Sequence, residues 1–207
     1  MTKPKFIFYT AALLLACFSS ANNLSAQTQT NPQNQSSYEI ILQVLAASNN
    51  AAADNKQAAP QTISGIVKKL KNNYPFSNYR LTETYFQRIA NSGSASSNGI
   101  SNEPNQNLYT PIFSEWAIDQ FLILPDAKGQ NSISIRNFRF GQRVPVKTAV
   151  AASDGEKANA VVNYQQIGLT ISRLNLPVNT PTIIGNLSAQ KSDELMFLIL
   201  TVKPADE

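Results

Sequence analysis

The order of apolar and polar positions divides the chain into readable elements. From residue 38 to 46, Tyr38, Ile40, Leu42 and Val44 share one parity, while Glu39, Ile41, Gln43 and Leu45 take the other. That alternation predicts a strand. A small, polar connector follows, and Pro60 opens a helix, where its missing N–H costs nothing. Ile63, Ile66, Val67 and Leu70 recur at helical spacing and form its buried stripe. Lys68, Lys69 and Lys71 fall in the last turns, where cations suit the helix dipole and where a solvated face is the ordinary reading. Residues 78–89, rich in Tyr, Thr and Phe, predict a second strand. Strand, helix and strand suggest a β-α-β unit over residues 38–90.

The Ser, Gly and Asn content of residues 91–106 predicts a flexible linker and a domain boundary. Beyond it, residues 107–207 read as strands at 114–124, 132–140, 143–150, 160–174, 182–187 and 194–203. Gly141 is expected to bend the chain, and Gly168 to mark a bulge or a close approach. Residues 195–202 are apolar on both parities, so this strand is expected to be buried on both faces. The fold class predicted is α+β: an N-terminal β-α-β unit followed by a mainly antiparallel β-sheet domain.

The first 26 residues read as a signal peptide, with Lys3 and Lys5 ahead of an apolar stretch too short to span a membrane. Cleavage after Ala21 or Ala26 fits. So does a lipoprotein-like cut before Cys17, which would make Cys17 a lipidation site and the only membrane attachment. Residues 27–37 read as a disordered tether. Losing the leader lowers the formal charge from +4 to about +2. Export to the periplasm or outer membrane of a bacterial envelope also argues against nucleic acid as a partner.

The chain has no histidine and one cysteine, which removes most nucleophilic and metal chemistry. Ser188 and Lys191 match a Ser-x-x-Lys pattern, but in a hairpin turn and without supporting motifs. Glu115 and Asp119 lie on one strand face, roughly 13 Å apart, too far for a retaining carboxylate pair. Trp116, with Tyr109 and Phe113, offers a possible partner-binding surface that could stack on a sugar. No phosphate loop or calcium loop is present, so no cofactor and no enzymatic activity are expected.

Residues 138–203 resemble secretins, the outer-membrane channel proteins of type II secretion and type IV pilus systems. Such proteins carry a Val/Phe-x-Gly-Gln-x-Val-Pro segment, then a Tyr-x-x-Val/Ile-Gly-x-x-Ile/Leu strand, an Ile/Val-Gly strand and a final Leu-Leu-Ile-x-x-Thr-Pro-like strand. This chain has Phe138 to Pro145 (FRFGQRVP), Tyr164 to Ile171 (YQQIGLTI), Ile183-Ile184-Gly185, and Leu195 to Thr201 (LMFLILT). Leu70 to Leu81 (LKNNYPFSNYRL) is similar to small secretin-associated exported proteins. The twenty or so residues between Tyr164 and Ile184 leave no room for barrel hairpins. A strand apolar on both faces also suits a core better than a channel wall. The resemblance implies a structural or accessory component of a secretion or pilus apparatus, with secretin or pilus components or copies of itself as partners. The alternative from the residues is a periplasmic peptide- or glycan-binding module centred on Trp116 and residues 91–106.

Overall fold

Strand β1 (Ser37–Ser48) lies at the centre of one sheet, paired antiparallel along its length with β2 (Asn78–Ala90) on one side and β8 (Glu194–Pro204) on the other. Strand β7 (Thr182–Ser188) completes sheet I, in the order β2-β1-β8-β7. Sheet II runs β3-β4-β5-β6, from β3 (Ser92–Ile100), β4 (Phe113–Pro125), β5 (Asn131–Thr148) and β6 (Val161–Pro177). Every pairing is antiparallel. The computed structural model describes residues 36–49, 59–101, 110–125, 129–148, 161–188 and 194–205. Residues 1–35, where a leader with Cys17 and most of a tether are expected, lie outside them, as do Tyr109 and Lys191.

The α+β expectation is overturned. The described chain is nearly all β, with one 3₁₀ turn (Gln61–Ile63) running into one short helix, α1 (Ser64–Asn73). The strands flanking that helix are antiparallel neighbours, so they make no β-α-β crossover. Hydrophobic periodicity predicts the order strand, helix, strand, but strand direction is set by pairing. The second neighbour of β1 comes from the far end of the chain.

The inward side chains of both sheets form one sandwich core. Ile40, Leu42 and Val44 from β1, together with Leu198 and Leu200 from β8, meet Trp116, Ile118, Phe121, Ile133, Ile135 and Phe138 from sheet II. The outer face of sheet I carries a second cluster. There Leu45, Ala47, Phe197 and Ile199, with Tyr79 of β2, pack under Ile63 and Leu70 at the helix. Residues 196–200 are therefore buried on both faces, as their unbroken apolar run predicts.

Residues 92–100, expected to be linker, form an edge strand instead. Their sequence has no apolar period, but pairing with β4 needs only backbone. Small side chains also suit the point where the chain passes from sheet I to sheet II, since a Cβ on Gly93 would stand 3.2 Å from Ile89. Residues 36–207 form a single compact unit.

The bend expected at Gly141 lies elsewhere. β5 runs on through Gly141, and its irregular residue is Asn137, at φ 52°. Asn tolerates this left-handed conformation better than most residues. On either side of it the inward positions change parity, from Ile133 and Ile135 to Phe138 and Phe140. β4 changes likewise, from Ile118 to Phe121, so both halves of the sheet keep an apolar inner face.

Candidate binding face and open edge

The outer face of sheet II is polar, and a pair of glycines lies near its middle. Gly141 and Gly168 are direct cross-strand partners. A Cβ on Gly168 would fall 2.5 Å from the Phe140 carbonyl oxygen, so only glycine lets the strands pass this closely. A Cβ on Gly141 would meet only the tips of Gln166 and Glu115, both at 3.3 Å. Above it Gln166 Nε2 donates to Glu115 Oε1 at 3.2 Å. The missing side chains leave a hollow of about 520 Å³, with Ser96, Asn98, Arg139 and Thr170 on its walls. A second hollow of about 390 Å³ shares Asn98 and Glu115 with it and extends to Phe113 and Arg143.

Charged groups on this face are unevenly satisfied. Arg139 donates to both oxygens of Asp119, at 2.5 and 3.3 Å. The Arg143 guanidinium sits 5.1 Å from the Phe113 ring centre, a cation–π contact, and Tyr164 packs on the same ring at 5.6 Å. Arg136 and Arg173 are exposed, stand directly opposite each other, and have no ion-pair partner among the described residues. Neither arginine stands out in the sequence, because their adjacency depends on strand register.

Of the residues singled out from the sequence, Phe113 reaches this face, beside Tyr164 and Arg143. Trp116 does not. It is 2% exposed, its ring lies 6.4 Å from that of Tyr85 in the core, and its Nε1 lacks a partner among the described residues. A buried ring offers no surface for a sugar to stack on. Ser188 ends β7. Glu115 and Asp119 are each engaged, by Gln166 and Arg139 respectively, and do not converge.

Between the sheets lies a buried carboxylate that periodicity does not reveal. Glu83 accepts a hydrogen bond from the Tyr85 hydroxyl, from Ser114 Oγ at 3.2 Å and from Gln142 Nε2 at 3.1 Å. Burial, then the Glu83 charge and hydrogen bond, push the Tyr85 hydroxyl well above the usual tyrosine range. Three neutral donors from both sheets thus stand in for a cation.

The free edge of β6 adjoins the polar face. Among the described residues β6 pairs only with β5; it is 17 residues long, whereas its neighbour across the sandwich edge, β7, has 7. β7 meets β6 near Leu169, whose Cδ2 lies where a Cβ on Gly185 would come within 2.7 Å. The first half of β6 has no strand beside its outer edge among the described residues. β4 begins at Phe113, opposite Arg143, so Val144–Thr148 and Val161–Gln165 continue as a two-stranded ribbon. Among the described residues, no three His, Cys, Asp or Glu side chains are placed to hold a metal. No described helix is long and apolar enough to cross a membrane. No family model, curated protein or solved structure matches the chain.

Proposed function

We propose that this chain is an exported, non-enzymatic component of the bacterial cell envelope. It serves as a structural or accessory part of a secretion or pilus apparatus and engages protein partners, or copies of itself, by adding a strand along β6. The observation that carries this reading is the first half of β6, beside whose outer edge no strand lies among the described residues. Two-stranded ribbons are marginal in water by themselves, and open edges are ready templates for another chain. Recognition by strand addition draws its affinity from backbone hydrogen bonds and its specificity from alternate side chains. Here those neighbours are Tyr164, Gln166 and Thr170, on the exposed face. The stretch resembling secretins, residues 138–203, supplies most of β5, all of β6 and β7 and nearly all of β8, which supports an assembly role.

A photo-crosslinking side chain at Gln165, with the full chain expressed in a bacterium carrying a secretin system, tests this. The expected product is an adduct with an envelope protein or a second copy, absent when the crosslinker is placed on α1 at Lys69. A monodisperse monomer in envelope extracts, with no Gln165 adduct, would falsify the proposal.

A further inference from the structure

We propose that the outer face of sheet II binds an acidic polysaccharide, with Arg136 and Arg173 gripping one of its anionic groups. This site is independent of strand addition along the β6 edge. Like charges directly opposite each other on neighbouring strands destabilise a sheet. Arg136 and Arg173 occupy such a position, exposed and without an ion-pair partner among the described residues. Of the two carboxylates nearby on this face, Asp119 is held at both oxygens by Arg139 and Glu115 accepts from Gln166. Two planar guanidinium forks side by side are suited to a carboxylate or sulfate.

The backbone kink concentrates these arginines. Residues three apart on a regular strand point to opposite faces. The left-handed Asn137 reverses that, so Arg136 and Arg139 are both exposed while Ile135 and Phe138 are buried. Arg143 follows four residues on, roughly 13 Å at the usual strand rise. Hydroxyl and amide side chains fill most of the interval: Ser96, Asn98, Gln166 and Thr170 line the hollow beside Arg139, together with the Glu115 carboxylate that Gln166 engages. Cations at intervals along a polar, open trough match a chain that repeats anions between hydroxyls.

The test uses the purified full chain and fluorescently labelled oligogalacturonate or a sulfated oligosaccharide, which separate carboxylate from sulfate as the anion. A neutral oligosaccharide of equal length and single-stranded DNA serve as comparators. We expect one acidic oligosaccharide to bind more tightly than either comparator. The Arg136→Gln/Arg173→Gln pair should weaken it about tenfold or more, as loss of charged hydrogen bonds implies. Lys68→Gln/Lys69→Gln removes the same charge from the exposed helix face and should leave binding unchanged. All four side chains are exposed, so folding is not at stake. The proposal is overturned if neither acidic oligosaccharide binds, if DNA binds as tightly, or if the two double variants weaken binding equally.

Discussion

Glu83 illustrates how single residues tie the two sheets together. Its carboxylate takes donors from β2, β4 and β5, so a change to one of them leaves a buried acceptor short. Gln142→Leu should cost about 1–3 kcal/mol, read as a lowered urea midpoint at pH 7. The Tyr85 hydroxyl remains protonated in the fold at pH values where the unfolded chain's tyrosine, near 10, has ionised. Stability should therefore fall as pH rises through 10. Tyr79, also raised, chiefly by burial, adds to the same trend. Tyr85→Phe should flatten the decline between pH 9 and 11 in urea titrations, roughly within the range that one tyrosine's linkage allows. Glu39 behaves oppositely. Hydrogen bonds from Lys203 and then Arg88 hold its pKa below the ordinary 4.5. Its contribution is full above that value and lost as pH falls through the lowered one. Thermal melts from pH 6 to 3 should show a smaller drop in Tm for Glu39→Gln than for the unaltered chain.

At the scale of elements, the two central glycines are not equivalent. Gly168→Ala drives a methyl into the Phe140 carbonyl and should destabilise by about 1–3 kcal/mol, whereas Gly141→Ala displaces only side-chain tips and should stay within about 0.5 kcal/mol. Paired chemical-denaturation curves compare them directly. The close approach at Gly168 is legible in the sequence, because a glycine interrupting a strand pattern has few other uses. The strand at 92–100 is not legible: Ser, Gly and Asn carry no apolar period, and backbone pairing with β4 makes the strand. Helix α1 is held by Ile63 and Leu70 against Phe197 and its neighbours. Leu70→Ala should cost about 2–5 kcal/mol in the same assay.

The whole molecule depends on contacts between its two ends. β1 is bounded by β8 along its full length, and both faces of β8 are filled. Cutting the chain within residues 102–106 should therefore give two fragments that do not fold separately. Circular dichroism of each fragment alone should lack a cooperative thermal transition. An N-terminal fragment melting cooperatively by itself would restore the two-domain organisation expected from the pattern. The sequence by itself determines where β1, α1, β2, β4 and β8 lie, because apolar periodicity is a local property written in consecutive residues. It also determines that β8 is buried on both faces, since no alternation exists to leave one face wet. Only the tertiary structure decided that β1 and β2 run antiparallel, that Trp116 turns inward, and that Arg136 stands beside Arg173. Each of these depends on register between strands distant in sequence, and register is settled by the joint packing of both sheets rather than by any one segment.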